Sequence, residues 1–401
     1  MSRIEKGLST GGYVLLSLTV LAAPWLFGAC ERWWFWPFAV MLFGATLCFG
    51  LALAFKAFDG GEPADAEDGD SALSARSLIV LLCVPFLLYA AVRFLQADVR
   101  LDAERSFLLF LTPFLVGVHV LFGLDRERRR SLYVLIMADL FLLGVYGLVN
   151  HALTGSRVVL WANGRPGYYL ANRASGSYFC PDHFAGILEI ALAMSLGFAM
   201  SSRVRSSQRW PALALGAVAV AGVVLSKSRG GGLTVLVVMF AALFWGFADW
   251  PEDKRWWNRL SGLTALAIVM LIFAHSNHPY MQRFRGYLAP DSEKDRPVAE
   301  TVSVLMEKAR HTSRGKMFSG ALRAWKTEKT FGIGPGMHRN LWPRFAASPD
   351  GDREGGLWPS MLNNHFHSYE VHSDWIQLLE EYGLVGLILL LIPFVALCGV
   401  L

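Results

Sequence analysis

Apolar residues along this chain fall into long blocks instead of the every-third-or-fourth spacing of a soluble amphipathic helix. Nine blocks precede residue 276, at about 11–30, 35–55, 77–95, 106–124, 131–150, 183–200, 211–226, 232–250 and 260–275. Each approaches the ~20 residues needed to cross about 30 Å of hydrocarbon. The pattern predicts an all-α polytopic membrane protein with a transmembrane bundle of nine spans over 1–275, a large loop domain over 276–383 and a last apolar block over 384–401. That last block is barely long enough to cross, so it either crosses tilted or begins a span that a longer chain would complete. Residues 56–76 are acidic and rich in Gly, Ala and Asp, with almost nothing to bury, and read as a flexible linker.

Orientation follows from which short connections are basic. Those after the fourth, sixth and eighth blocks carry clusters of Arg or Lys, and strict alternation puts all three on one side. Taking that side as cytoplasmic places the N-terminus inside, in agreement with Arg3 and Lys6, and the acidic linker inside as well. The turn at 31–34, the loops at 151–182 and 227–231, and the large loop then face outward. The first apolar run is too long for a signal-peptide core and lacks a clean small-x-small cleavage site, so it reads as a retained first span.

Composition narrows the classes. Hydrophobic residues make up 54% of the chain, and its 14 Trp and 11 Tyr suit rings placed at two bilayer interfaces. The formal charge of +5 is spread over membrane-flanking loops with no nucleic-acid-binding signature, so no nucleic acid partner is expected. Cys48, Cys83 and Cys398 fall inside apolar blocks. Cys30 and Cys180 lie near outward ends, where a disulfide is open but nothing in the spacing demands one.

Ser228-Arg229-Gly230-Gly231 stands at the outward mouth of the seventh block. Its glycines let backbone approach a ligand, and open N–H groups beside a guanidinium suit an anion. An arginine that marks the membrane boundary and reaches for headgroups explains the same residues. In the large loop, Arg314-Gly315-Lys316 leads into a helical stretch, Met317 to Lys329, ended by Phe331-Gly332-Ile333-Gly334-Pro335-Gly336. Gly334 and Gly336 could cradle a phosphate or simply make a tight turn; the Lys-Ser/Thr of a P-loop is missing.

His338, His365, His367 and His372 raise the question of a metal, but the neighbouring acids give no standard ligand spacing, and neither metal nor cofactor is expected. His372-Ser373-Asp374-Trp375 opens the final helix, with Ser373 or Asp374 as its cap. An imidazole there can accept a proton near neutral pH, since its free pKa is about 6.5. His372 therefore either does chemistry or helps pack the loop, and Asp374 either orients it or only caps. No Gly-x-Ser-x-Gly elbow supports a serine nucleophile. Asp139 and Glu189, inside blocks, should face the bundle interior or a substrate cavity.

These pieces resemble the O-antigen ligase and polymerase family, bacterial membrane glycosyltransferases that use undecaprenyl-pyrophosphate-linked glycans. The resemblance is carried by Ser228-Arg229-Gly230-Gly231, by the track from Arg314 through Trp325 to Gly336, and by HSDWIQLLEEYGLVG from His372 to Gly386. More weakly, residues 172–186 with Arg173 are similar to the family's Arg-x-x-Gly stretch, although Cys180-Pro181-Asp182-His183 stands where relatives carry Asn-Pro-Asn. Relatives also carry two or more spans after the large loop.

The resemblance implies a GT-C-like helical bundle in the inner membrane, with one large periplasmic loop and metal-independent, inverting transfer. By it, His372 takes the proton from an acceptor hydroxyl as that hydroxyl attacks C1, and Arg229 and Arg314 bind the donor pyrophosphate. Asp374, Ser373, Arg173, Gly334, Gly336 and His338 fall in supporting places. The implied partners are the undecaprenyl-pyrophosphate-linked donor, a saccharide acceptor (lipid A-core or a growing glycan) and membrane lipids. Ligation to lipid A-core is the first reading. Its rivals are a polysaccharide polymerase, a protein O-oligosaccharyltransferase and, from another class, a membrane transporter.

Overall fold

The computed structural model describes residues 3–29, 32–58, 70–154, 173–247, 250–275, 313–346 and 368–400. Cys30, His365, His367 and the core of the acidic linker lie outside these residues. Among the described residues the chain is helical and without strands: α1 (Arg3–Ala22), α2 (Arg32–Phe58), α3 (Asp70–Leu95), α4 (Arg100–Val118), α5 (Arg126–Thr154), α6 (Pro181–Met200), α7 (Ser206–Ser226), α8 (Arg229–Trp245), α9 (Glu252–His275), α10 (Ser313–Thr327), α11 (His338–Ala346) and α12 (Asp374–Val400). Eight of these helical stretches are long and apolar enough to cross a membrane, the last being Asp374–Leu397, and α8 is a shorter apolar helix. The protein is an all-α polytopic membrane protein. Its final helix is longer than the block at 384–401 suggested, because it begins at Asp374 and passes through a break at Gly383.

Two compact units form. The first joins Met1–Leu53 to Leu124–Pro290, and the second joins Ala54–Gly123 to Asp291–Leu401. Two spans expected within a 1–275 bundle, α3 and α4, thus cluster with the large loop and α12.

In the first unit α6 and α7 pack face to face around Phe184, Leu188, Leu192, Leu215 and Val223, all buried. Small residues set the approaches to α6: a Cβ on Gly147 of α5 would run into Phe184, and one on Gly222 of α7 into Leu188. In lipid, where apolar surface gains little by leaving the solvent, such close contact is a main source of helix association. Arg128 donates to Ser9 Oγ at 2.6 Å and Thr10 Oγ1 at 2.9 Å, and Tyr13 donates to Ser131 Oγ at 3.2 Å. The starts of α1 and α5 therefore share one end of the unit, as alternation requires. Trp250 Nε1 donates to Met200 O at 2.6 Å, so the connections after α6 and α8 also share an end. Asp139 accepts from Trp25 Nε1 at 2.8 Å and so faces the interior, as expected of a carboxylate within a span.

In the second unit α12 packs on α3 and α10, and Phe86, Ala90, Leu378 and Tyr382 form its apolar centre. A smaller cluster joins Met317 of α10 to Trp342 and Ala346 of α11.

Candidate functional site

The first unit holds Arg229 and Arg173. Helix α7 ends at Ser226, and Lys227 takes a left-handed conformation (φ 52°) that turns the chain. Ser228 caps α8 by accepting from Gly231 N at 3.3 Å. Arg229, placed by the sequence pattern in a loop, is the first residue of that helix, with no acidic residue in its first turn. A cation at the positive end of a helix is unfavourable by itself and is relieved by an anion. Arg173 braces this corner: its Nε donates to Ser226 O at 2.6 Å and its Nη2 meets Asp182 Oδ1 at 2.7 Å. Ala174 N donates to Leu225 O at 2.9 Å, which ties the preceding segment to the end of α7. Asp182 thus serves as the counter-charge to Arg173, and Cys180 has no disulfide partner among the described residues, which leave out Cys30.

The second unit holds the remaining candidates. Helix α10 starts at Ser313, earlier than the pattern suggested, so Arg314 and Lys316 lie in its first turn, again without an acid there. Arg314 is exposed.

His372 is exposed and left-handed, with φ 60°. A non-glycine residue held there costs about 1–3 kcal/mol and persists only where its neighbours over-determine it. Those neighbours are specific. Val371, fully buried, donates its N–H to Gln377 Oε1 at 3.1 Å, and Ser373 O accepts from Gln377 N at 2.9 Å. One glutamine therefore grips the chain on both sides of His372 by its side chain and its backbone. Gln377 in turn donates from Nε2 to Glu381 Oε1 at 3.2 Å. Asp374, exposed, is the first residue of α12.

Behind His372 lies a buried polar network. Glu381, 2% exposed, also accepts from Gly336 N at 2.8 Å and Ser106 Oγ at 3.3 Å on the other carboxylate oxygen. Glu380, equally buried, meets His338 Nδ1 at 2.8 Å. His338 Nε2 lies 3.1 Å from Ser368 Oγ, and that hydroxyl donates to Glu370 O at 2.7 Å. With its only proton spent there, Ser368 must accept from the imidazole, so Nε2 carries hydrogen. A single proton is then shared between Nδ1 and Glu380.

The glycine turn closes the network. At Gly383 the backbone turns to φ 66°, ψ −168°, a region essentially reserved for glycine. The break frees backbone groups on both sides, and residues 329–334 satisfy them. Ile333 N donates to Glu380 O at 2.9 Å and Gly334 N to Glu381 O at 3.0 Å, while Leu384 N and Val385 N donate to Lys329 O and Thr330 O at 3.0 and 3.1 Å. Tyr89 caps Tyr382 O at 2.7 Å. The backbones meet so closely that a Cβ on Gly332 would lie 2.5 Å from Glu381 O. The amides of Gly334 and Gly336 thus both have acceptors within the protein, and in this structure they do not line an open anion cradle. Among the described residues no group of three or more His, Cys, Asp and Glu is arranged around a metal-sized space.

Residues 212–391 match the family model of the O-antigen ligase domain. This segment belongs to the O-antigen ligase family. It contains Arg229, Arg314, Gly334, Gly336, His338, His372, Ser373 and Asp374; Arg173 precedes it. The match supports an O-antigen ligase or polymerase type of function, with glycans and lipid-linked molecules as the substrate class it implies. No individual curated protein matches the chain.

The sequence pattern did not single out Gln377, Glu380 or Glu381. A signal for the two acids exists: consecutive carboxylates in an otherwise apolar run, just before a glycine, cannot all face lipid or water on one helix. Ser368 gave no such sign, since only the fold brings it to His338.

Proposed function

We propose that the O-antigen ligase segment catalyses transfer of a glycan from undecaprenyl pyrophosphate to a hydroxyl of lipid A-core at the periplasmic face of the inner membrane. The observation that carries this reading is His372: exposed, strained and clamped at the head of α12. In the proposed step the acceptor oxygen attacks C1 of the donor sugar from the face opposite the pyrophosphate. The C1–O bond to phosphate breaks with inversion, the acceptor proton passes to a ring nitrogen of His372, and pyrophosphate leaves on its lipid. Arg314 and Arg229 are assigned to the leaving pyrophosphate. Each is a guanidinium in the first turn of a helix that holds no acid there, a setting that favours an approaching anion.

The test is transfer of lipid-linked glycan in membranes containing His372→Ala. Loss of transfer with an undiminished level of folded protein is expected, and retained transfer removes the catalytic assignment. Arg229→Gln and Arg314→Gln should each lower kcat/KM about 30- to 1,000-fold, the equivalent of ~2–4 kcal/mol at a developing charge. Wild-type behaviour of both ends the pyrophosphate assignment. A single addition per acceptor marks a ligase, and a ladder of lengths marks a polymerase.

A further inference from the structure

A cavity of about 320 Å³ opens in the second unit between the α3–α4 connection and the glycine turn, within the ~300–1,000 Å³ of small-ligand sites. Arg93, Gln96 and Asp98 line one side, and Glu328, Phe331 and Gly332 line the other. Arg93 is fixed in place: Nη2 donates to Gly332 O at 2.9 Å and Nη1 to Gln96 Oε1 at 3.3 Å. Its Nε–H is buried with no acceptor among the described residues. Asp98 and Glu328 are exposed, and the Phe331 ring is 52% exposed beside them.

The lining selects a class of ligand. One guanidinium against two carboxylates is the wrong balance for a phosphate or pyrophosphate. A guanidinium in the wall opposes a divalent cation. A mainly polar lining offers little to an acyl or prenyl chain. What fits is a neutral polyol. Each hydroxyl can donate to a carboxylate while accepting from Arg93 or Gln96, and an exposed aromatic ring offers a flat apolar surface to the C–H face of a pyranose. We propose that this cavity is a saccharide subsite of the protein, with Asp98, Glu328 and Phe331 as its recognition groups. The subsite rests on the transfer reading only for the role of the bound sugar, since occupancy is measurable without turnover.

The test uses the purified full chain in detergent. Its probes are soluble oligosaccharide released by mild acid from the cell-surface glycan of the bacterium that makes the protein, and inorganic pyrophosphate as competitor. Saturation-transfer NMR should show contact with sugar ring protons. Phe331→Ala and the double variant Asp98→Asn with Glu328→Gln should each weaken binding at least tenfold, and pyrophosphate should not compete. All three side chains are exposed, and unchanged thermal unfolding is the folding control. Absence of saturation transfer from the wild type, variants within twofold of it, or displacement by pyrophosphate overturns the subsite. His372→Ala separates the two proposals. If it abolishes glycan transfer while the cavity variants bind normally, the subsite falls and the transfer reading stands. If the cavity variants lose binding while His372→Ala still transfers, the reverse holds.

Discussion

Replacing Gly383 by alanine tests the broken helix directly. A Cβ at this position would collide with Thr330 O and lie 2.5 Å from Gly332 N, both backbone atoms that no rotamer change can move. If the backbone keeps φ 66° and ψ −168°, the strain costs about 1–3 kcal/mol before any steric contact is counted. If residues 329–334 retreat instead, the four backbone bonds from Ile333, Gly334, Leu384 and Val385 go with them. At about 0.5–1.5 kcal/mol net for each bond, that route costs roughly 2–6 kcal/mol. A response that combines some of each falls near the middle of these ranges, about 3 kcal/mol out of a total stability of ~5–15 kcal/mol. At ~2–4 °C per kcal/mol, the unfolding midpoint of detergent-purified protein should drop by about 6–12 °C. Thermal unfolding followed by the loss of the monodisperse peak in size-exclusion chromatography measures it. Gly117→Ala in α4, where no atom of the described residues lies within 4 Å of the new Cβ, is the control and should be neutral or slightly stabilising. A Gly383→Ala midpoint within about 2 °C of wild type would refute the argument, because neither route can be that cheap.

Two further substitutions probe the clamp and the buried pair. Gln377→Leu removes the acceptor of Val371 N–H and the donor to Glu381, so His372 should lose its fixed orientation; kcat for transfer should fall at least tenfold with donor KM within twofold, whereas a rise in KM alone would show that Gln377 does not position the imidazole. His338→Leu leaves Glu380 buried without its partner, a change worth about 3–5 kcal/mol in comparable pairs, and adding Glu380→Leu should recover much of the loss in thermal unfolding. Equal stability of the single and double variants would show that the two side chains are not coupled.

The sequence pattern located most helices because spans in lipid must be long and continuously apolar, a requirement that tertiary contacts rarely override. It also located His372 at the head of the last helix. Two things could not be read from it. Arg229 and Arg314 were placed beside their helices, yet both lie in the first turn; a polar residue at that position satisfies the rules for loop and helix alike, and only the cap geometry decides. The glycine turn allowed two readings, a phosphate cradle or a structural corner, since both need backbone with positive φ. The structure shows where those amides go, and that depends on Gly383, some fifty residues further along. Glu380 and Glu381 stayed hidden for the same reason. Their partners Ser106, Gly336, His338 and Ser368 come from three separated segments that no local pattern connects.

That network has a practical corollary for anyone building hybrids of related enzymes. Glu381 draws on the start of α4, the glycine corner and its own helix, and Glu380 on α11 and the residues before His372. A crossover placed between residues 338 and 380 would separate the buried His338–Glu380 pair, and leave an ionisable group stranded in the interior unless the donor sequence supplied the matching half. Swaps meant to change acceptor preference should therefore carry this block whole, along with the first two turns of α4, and confine variation to its outward rim.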